Sequence, residues 1–375
     1  MKIGSIKENT AYEKRVSITP DSAKNLIELG LEICIEKNYA THLGIEDKDF
    51  ENLGVKILPK SDEVLKSSDL IVKINCPNNS EISYIRENSN LIGLLNVSKN
   101  KKEINDILSK KVNVFSLELL PRITRAQSMD VLSSQSNLAG YRSVIDSIFE
   151  FEKAIPMMMT AAGTVPPAKI LIIGAGVAGL QAIATAKRLG AQVEAFDVRP
   201  EVKEQVESLG AKFIEVDSNS DDGVGSGGYA SETSEEYKAK QQQLMKERVS
   251  KSDIVITTAL IPNRPAPMLI PKSMVESMTP GSVIMDLASE NGGNCELTQE
   301  NEIVNHNGVL IDGNSNLPST MAYHSSQLFS KNIEAIIDHC HSEEGFVLDK
   351  EDEIIDGMLF IENGEVRHQP TKESM

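Results

Sequence analysis

The sequence predicts an α/β protein made of two domains, each with a mostly parallel sheet, linked by two long helices. Three observations support this prediction. Short apolar runs alternate with helical patterns, which is typical of parallel sheets covered by helices. The 375 residues suffice for two domains of ordinary size, each with its own core. Two long helical patterns, at residues 136–153 and 319–339, are placed to connect the domains.

The first predicted domain comprises residues 1–135 and is completed by the C-terminal segment 320–375. Residues 2–6 begin a strand, and Thr19-Pro20-Asp21 opens a helix that ends at Gly30. Further elements are predicted as strands at 31–36, 69–74, 91–95 and 112–116, and as a helix at 101–108. Residues 346–353 and 358–367 are predicted as short antiparallel strands, with a turn at Asn363-Gly364.

The second predicted domain comprises residues 136–319. A run of three methionines at residues 157–159 is interpreted as packing rather than chemistry, because methionine fills irregular gaps in cores. Strands are then predicted at residues 169–173, 193–196, 211–216, 253–257, 282–286 and 309–312.

The turn after the strand at 169–173 is the most informative stretch of the chain. It reads Gly174-Ala-Gly176-Val-Ala-Gly179 and opens an alanine-rich helix. In a dinucleotide-binding βαβ unit the first glycine allows a tight turn and the second lets the backbone approach a pyrophosphate. The third glycine allows close packing of the helix on the strand. The pyrophosphate then lies at the helix N-terminus, whose free N–H groups favour negative charge. Both domains are therefore expected to be Rossmann-like, around a cofactor cleft.

Asp197 is predicted to select the cofactor. It lies 18 residues after Gly179, at the end of the next strand, where an acid accepts hydrogen bonds from the ribose. Its charge repels a 2′-phosphate, which favours NAD(H) over NADP(H). Arg199 complicates this prediction, because an arginine nearby can accommodate that phosphate. The acid receives more weight, since its side chain occupies the position that the phosphate needs.

Composition excludes several classes of partner. The formal net charge of −17 argues against nucleic acid, which requires a basic surface. The four cysteines form neither a CxxC pair nor a cluster at zinc spacing, so no metal site is expected. Residues 1–26 do not resemble a signal peptide, and the uncharged stretch at 170–186 is short and contains three glycines. We therefore expect no membrane insertion of this chain.

One segment, residues 217–236, is rich in serine, glycine and aspartate and carries Gly228 and Tyr229. Such a composition cannot bury enough apolar surface to be rigid. A single aromatic residue in a mobile loop beside a nucleotide fold predicts a lid over the cofactor. The alternative is a disordered surface insert.

Further segments resemble a known family. Residues 120–135 read Leu-Pro-Arg-Ile-Thr-Arg-Ala-Gln-Ser-Met-Asp-Val-Leu-Ser-Ser-Gln. They resemble the signature loop of the NAD(H)-binding component of proton-translocating NAD(P) transhydrogenases. Residues 7–20, 257–262 and 286–296 are similar to the wider superfamily that includes alanine dehydrogenase. The resemblance covers nearly the whole chain.

The resemblance implies a role for each residue of this loop. It places Gln127 at the nicotinamide ribose, reaching toward the partner that carries NADP(H), and Arg122 near the pyrophosphate or the ring. Asp130 and Ser133 are implied to hold the carboxamide of NADH. Hydride transfer between two nicotinamides requires positioning rather than a general acid or base, so Arg122, Gln127 and Asp130 are the candidate catalytic residues. The other cofactor contacts that it implies, beyond the three glycines, are Ser128, Met129, Val177, Asp197, Val198, Arg199, Gly228, Tyr229, Gln241 and Leu260.

The resemblance also implies partners. This chain binds NAD(H) and forms a homodimer, a beta subunit binds NADP(H), and a membrane-spanning subunit couples hydride transfer to proton translocation. The chain is then cytoplasmic and peripheral, held on the cytoplasmic face of the inner membrane through these partner subunits. A non-catalytic NAD sensor or scaffold remains an alternative.

An alanine dehydrogenase is the other alternative. Arg15 and Lys73 remain as cations able to clamp a carboxylate. However, Asn96 lies where alanine dehydrogenases carry a catalytic histidine, and Glu290 where they carry a catalytic aspartate. Asparagine cannot shuttle a proton, so the resemblance to transhydrogenases is favoured.

Overall fold

The computed structural model describes residues 1–216, 235–261, 264–342, 345–346 and 348–368. The chain divides into two compact units, unit 1 with Met1–Gln135 and Pro318–Met375, and unit 2 with Ser136–Leu317. Each unit contains one large sheet dominated by parallel strands, so the predicted α/β class is confirmed.

Strands and helices alternate along much of the chain. In chain order the strands are β1 (Lys2–Ser5), β2 (Glu32–Glu36), β3 (Lys56–Leu58), β4 (Leu70–Asn75), β5 (Asn90–Leu94), β6 (Asn113–Ser116), β7 (Met158–Thr160), β8 (Gly163–Val165), β9 (Lys169–Ile173), β10 (Gln192–Phe196), β11 (Lys212–Ile214), β12 (Ile254–Thr257), β13 (Val283–Asp286), β14 (Ile303–His306), β15 (Val309–Asp312), β16 (His341–Ser342), β17 (Gly345–Phe346), β18 (Leu359–Glu362) and β19 (Glu365–Val366). The α-helices are α1 (Pro20–Glu28), α2 (Asp47–Glu51), α3 (Ser61–Ser67), α4 (Asn79–Tyr84), α5 (Lys101–Ser109), α6 (Val131–Glu150), α7 (Val177–Arg188), α8 (Lys203–Ser208), α9 (Glu235–Ser250), α10 (Lys272–Val275), α11 (Leu317–Thr320), α12 (Ala322–Cys340) and α13 (Glu353–Met358).

The sheet of unit 1 has the strand order β19-β18-β6-β5-β4-β1-β2-β3. Strands β1 to β6 pair in parallel, and the C-terminal strand β18 adds antiparallel to β6. Residues 70–74 of the central strand β4 are all buried, as expected for a strand covered on both faces. Unit 1 is therefore completed by the end of the chain.

The C-terminal segment differs in part from its prediction. The turn through Asn363 and Gly364 is confirmed, since both have positive φ, as a two-residue hairpin turn requires. The predicted strand at residues 346–353 is wrong, because β17 ends at Phe346 and α13 begins at Glu353. Asp352 accepts hydrogen bonds from the N–H groups of residues 354 and 355, so a local cap starts a helix there.

The sheet of unit 2 has the strand order β11-β10-β9-β12-β13-β15-β14. All neighbours pair in parallel except β14, which pairs antiparallel to β15. The chain runs outward from β9 to β10 and β11, and then returns to the other side of β9 at β12. Strand order therefore reverses beside β9, and open α/β sheets bind ligands at the carboxyl ends of strands at such a switch point.

Helix α6 begins five residues earlier than the predicted start at residue 136. The carboxylate of Asp130 accepts hydrogen bonds from the backbone N–H and the hydroxyl of Ser133, at 2.9 and 2.5 Å. This interaction caps the first helical turn. The end of the segment at 120–135, which was expected to be a loop, is therefore helical.

The interpretation of the methionine run as packing in the core is wrong. Met157 and Met159 are 59% and 78% exposed. Met158 starts β7, which forms a two-stranded hairpin with β8, and among the described strands these two pair only with each other. Apolar character alone did not reveal that this hairpin lies outside the core of unit 2. Among the described helices, none is both long and apolar enough to cross a membrane.

Candidate dinucleotide-binding site

The three glycines after β9 serve different physical purposes. Gly174 has φ +100°, and a Cβ there would lie 2.5 Å from Oγ1 of Thr258. A Cβ on Gly179 would lie 1.9 Å from the carbonyl oxygen of Gly174. A Cβ on Gly176 would meet no protein atom within 4 Å. Gly174 and Gly179 are thus required by the fold itself, whereas Gly176 leaves space in front of the turn that a ligand backbone or phosphate can use.

Helix α7 starts at this open position. Gly176 is its N-terminal cap residue and has no side chain to bond the N–H groups of the first turn. These groups and the helix dipole attract a phosphate. Val177 opens the helix and is 43% exposed. The residues present therefore fit the pyrophosphate of a dinucleotide.

Asp197 joins the turn to the end of β10. Its Oδ2 accepts a hydrogen bond from the N–H of Ala175 at 2.7 Å. Its Oδ1 accepts from the N–H of Arg199, and the guanidinium of Arg199 donates to both carboxylate oxygens. The carboxylate is neutralised by this arginine, a pairing that the spacing of the sequence did not reveal. Val198, between them, packs partly against the core of unit 2.

The loop after β12 forms the other side of the turn. Thr258 donates from its hydroxyl to the carbonyl of Gly174 at 3.1 Å. The fully buried side chain of Asn294 accepts from the N–H of Ala259 at 3.1 Å and donates to the carbonyls of Ala259 and Pro267 at 2.9 and 2.8 Å. Leu260, next in this loop, is 44% exposed.

Asn294 is itself held by a buried carboxylate. Asp286, at the end of β13, accepts hydrogen bonds from the N–H groups of Asn294 and Cys295 and from the hydroxyls of Thr257 and Thr298. In the sequence, residues 286–296 were noticeable only through their resemblance to a family. Their structural role is to hold the loop beside Gly174.

Most of the predicted contacts in unit 2 lie near one another, at the carboxyl ends of β9, β10 and β12. Gln241 lies half-buried on α9, which Arg248 links to Glu194 of β10 at 3.3 Å. Gly228 and Tyr229, with most of the predicted lid at 217–236, lie outside the described residues. The lid therefore stays a prediction.

The candidate catalytic residues lie in unit 1, on a 3₁₀ helix at Thr124–Met129 and just beside it. Gln127 and Ser128 are exposed, whereas Met129 is buried in the core of unit 1. Asn332 on α12 donates to the carbonyl of Ser128 at 2.7 Å and accepts from the hydroxyl of Ser134 at 2.7 Å. This clamp fixes the backbone that presents Gln127.

The other residues of this segment are held to different degrees. Asp130 and Ser133 bond to each other, as described for the start of α6. Arg125 forms an ion pair with Asp352 at 3.3 Å, which agrees with an ordinary surface role. Arg122 is exposed.

The two cations that could clamp a carboxylate substrate are already engaged. The guanidinium of Arg15 is 6% exposed and donates to both carboxylate oxygens of Glu13 at 2.7 and 2.8 Å. Lys73 is 3% exposed and pairs with Glu8 at 3.4 Å and Glu81 at 3.0 Å. Burial lowers the pKa of Lys73, but these two carboxylates outweigh it and raise the pKa.

Comparison with known proteins identifies the family. The model described as alanine dehydrogenase/PNT, N-terminal domain, matches residues 4–139. The model described as alanine dehydrogenase/PNT, C-terminal domain, matches residues 143–369. The chain belongs to the alanine dehydrogenase/PNT family.

Within the alanine dehydrogenase/PNT family, the chain resembles transhydrogenase subunits over nearly its full length. A chain of the NAD(P) transhydrogenase alpha subunit of Rhodospirillum rubrum is 46% identical over 376 residues, covering 98% of each chain. A solved transhydrogenase structure from Sinorhizobium meliloti matches with a TM-score of 0.88 and 43% identity, over 98% of this chain and 100% of that one. A solved L-alanine dehydrogenase shares the fold, with a TM-score of 0.83 at 23% identity over 100% and 98% of the two chains. The resemblance drawn from residues 120–135 is confirmed.

Proposed function

We propose that this chain is the NAD(H)-binding component of a proton-translocating NAD(P) transhydrogenase, in which hydride passes directly between NADH and NADP⁺ on a partner subunit. The observation that carries this proposal is the open space at Gly176 in front of an uncapped helix N-terminus, within a chain of this family. The similarity to transhydrogenase alpha subunits supports the choice of reaction.

Binding of the cofactor is assigned to unit 2. The N–H groups at the start of α7 hold the pyrophosphate, and Asp197 with Arg199 contacts the adenosine ribose. Leu260 lies on the loop that Asn294 holds and packs against the dinucleotide. When bound, NAD(H) supplies the hydride that is exchanged with the nicotinamide of NADP(H).

Positioning of the nicotinamide is assigned to unit 1. Gln127 contacts the nicotinamide ribose and the incoming partner, and Asp130 and Ser133 orient the carboxamide. Arg122 approaches the pyrophosphate or the ring. These residues orient a ring and exclude water, so no proton transfer to the protein is needed during the hydride step.

The assembly follows from the same proposal. The chain forms a homodimer, docks an NADP(H)-binding beta subunit over Gln127, and is held on the cytoplasmic face of the inner membrane by a membrane-spanning subunit. Proton translocation belongs to the membrane subunit. The net charge of −17 favours a basic docking face on the partner.

The buried ion pairs of Arg15 and Lys73 disfavour an alanine dehydrogenase. A carboxylate substrate would have to displace Glu13, Glu8 or Glu81 from a buried pair, and breaking such a pair costs about 3–5 kcal/mol. Asn96 has φ +41° and donates its N–H to Glu118 at 2.8 Å. Its amide cannot serve as an acid or base at physiological pH.

The test mixes the purified chain with the NADP(H)-binding component of a related transhydrogenase. Reduction of an acetylpyridine analogue of NAD⁺ by NADH is followed in the presence of NADP(H). We expect exchange, and we expect Gln127→Asn to lower its rate by at least about tenfold, or about 1.4 kcal/mol of transition-state stabilisation. The dissociation constant of NADH should stay nearly constant.

Thr124→Ala is the matched control, because Thr124 is exposed on the same 3₁₀ helix and has no assigned contact. It should exchange hydride like the wild type. Absence of exchange with intact NADH binding would overturn the proposal. Alanine-dependent reduction of NAD⁺ by this chain alone would replace it with an alanine dehydrogenase.

A further inference from the structure

Helix α6 carries an apolar stripe on the side that faces away from the core of unit 2. Gly140, Ser143 and Ser147 are buried and mark its inner face. On the other side lie Leu138, Tyr141, Ile145 and Phe149, spaced by three, four and four residues. At 3.6 residues per turn they fall within a sector of about 80°, opposite the inner face. We call these four residues the outer stripe.

The outer stripe is exposed to solvent in the isolated chain. Phe149 is 90% exposed and Tyr141 is 41% exposed, while Leu138 and Ile145 are half-buried. None of the four belongs to the hydrophobic cores formed by the described residues. A surface helix of a monomer presents polar residues on this side, so an apolar row here indicates an interaction surface.

A second exposed apolar element follows the helix. The β7–β8 hairpin has exposed side chains at every strand position, including Met158, Met159 and Val165. Residues 154–168 contain no charged side chain, in a chain that is 25% charged. A two-stranded hairpin is marginally stable by itself, and its open edges can pair with another strand. This hairpin therefore also favours contact with a partner.

The charges beside the outer stripe identify the kind of partner. Arg142 and Asp146 flank the stripe and lie 2.7 Å apart, on either side of residue 144. Residue 144 is also close to the middle of the stripe, which runs from 138 to 149. An antiparallel copy of α6, related by a two-fold axis near residue 144, brings each Arg142 opposite the Asp146 of the other copy. This arrangement is self-complementary, as an isologous dimer requires.

Net charge gives a second reason for contact through this surface. Two copies of a chain with a net charge of −17 repel each other through most of their surfaces. The outer stripe and the hairpin are uncharged, and the two charges beside the stripe cancel. Copies can therefore approach here without uncompensated repulsion.

We propose that the outer stripe and the β7–β8 hairpin bind a second copy of this chain, with the α6 helices antiparallel across a two-fold axis. This inference rests on the homodimer of the proposed function and assigns its surface. The stripe alone spans about 16 Å of helix, whereas a stable interface buries about 800 Å² on each partner. The hairpin supplies the remaining contact area.

The first test measures the mass of the chain in solution by light scattering and sedimentation. We expect a dimer for the wild type, and dissociation at least tenfold easier for Ile145→Glu and Phe149→Glu, because each places two like charges near the axis. Ile303→Glu is the matched control, since Ile303 is 58% exposed on β14 of the same unit. This variant should remain a dimer, and circular dichroism should show all three variants folded.

The second test exchanges charge across the proposed axis. Arg142→Glu and Asp146→Lys should each give monomers, because like charges then face each other twice. An equimolar mixture of the two variants should form a heterodimer, detected by native mass spectrometry. Misfolded variants could not be rescued by mixing, so this outcome is specific to the antiparallel contact.

Other outcomes would overturn the inference. A monomeric wild type would do so, as would dimers that persist in all the variants. Loss of hydride exchange in Phe149→Glu without a change in its mass would assign this surface to the NADP(H)-binding subunit instead. NADH binding should survive in every variant, so failure of this inference is distinguishable from failure of the proposed function.

Discussion

The guanidinium of Arg199 spans both oxygens of the Asp197 carboxylate, with Nε 2.9 Å from Oδ1 and Nη2 2.8 Å from Oδ2. The same carboxylate holds the N–H of Ala175 in the glycine turn. The acid expected to read the ribose is thus also part of the turn that receives the pyrophosphate. Its charge is balanced by the residue that the sequence suggested as its competitor.

The Asp197–Arg199 pair predicts an effect on cofactor preference. Arg199→Ala leaves the carboxylate without its counter-charge, so a 2′-phosphate should be repelled more strongly than before. We expect NADPH affinity to fall by about tenfold relative to NADH affinity, which corresponds to about 1.4 kcal/mol. Fluorescence titration with both cofactors measures the ratio. Lys203→Ala, which removes a nearby cation paired with Glu215, is the control, and tighter NADPH binding in Arg199→Ala would contradict the prediction.

The glycines of the turn should separate folding from binding. Gly176→Ala adds a methyl group that meets no protein atom at a φ of −78°, so the unfolding temperature should hardly change. NADH affinity should nevertheless fall by at least about tenfold, because the methyl group occupies the space assigned to the pyrophosphate. Gly179→Ala should instead destabilise unit 2 by about 1–3 kcal/mol, since its methyl group overlaps the carbonyl of Gly174.

Thermal unfolding and NADH titration of both variants check this prediction. Equal loss of stability in Gly176→Ala and Gly179→Ala would show that the space at Gly176 serves the fold and not a ligand.

Asn294 should matter for both stability and cofactor affinity. Asn294→Ala leaves the buried carbonyls of Ala259 and Pro267 and one N–H without partners. Each unpaired buried group costs about 1–3 kcal/mol, so a loss of at least about 2 kcal/mol is expected in urea unfolding. NADH affinity should fall as the loop that carries Leu260 loosens. Ser277→Ala, which removes a local bond to the carbonyl of Met274, should leave NADH affinity unchanged.

Glu150 predicts a pH dependence of stability. Burial, and then the neighbouring carboxylate of Asp312, raise the pKa of Glu150 from 4.5 to about 7. The folded state therefore keeps a proton that the unfolded chain releases over this range, and stability falls as pH rises from about 4.5 to about 7. Because Glu150 is only half-buried, solvent screening should limit the effect to about 1 kcal/mol.

Urea unfolding at several pH values measures this effect. Glu150→Gln should remove most of the slope and make the protein more stable at neutral pH. Glu152→Gln alters a neighbouring exposed carboxyl group and should keep the wild-type slope. An unchanged slope in Glu150→Gln would show that other groups cause the pH dependence.

The sequence predicted the α/β class and the dinucleotide turn correctly because both depend on local patterns. Gly174 and Gly179 are required by atoms within the turn itself, so their spacing of five residues carries the information. Interactions between distant residues could not be predicted in this way. The role of Asn294 depends on Ala259 and Pro267, which lie 35 and 27 residues away. Nothing in the local pattern around residue 294 indicates those partners.

By itself, the sequence determined the strand–turn–helix unit and the alternation of strands and helices, since φ restrictions, capping and apolar periodicity act over a few residues. Only the tertiary structure decided which apolar residues are buried. Val144 and Phe149 lie on one helix, yet Val144 packs in the core and Phe149 is 90% exposed. The methionines at 157–159 were misassigned for the same reason, because burial depends on which surface a segment meets and not on how apolar the segment is.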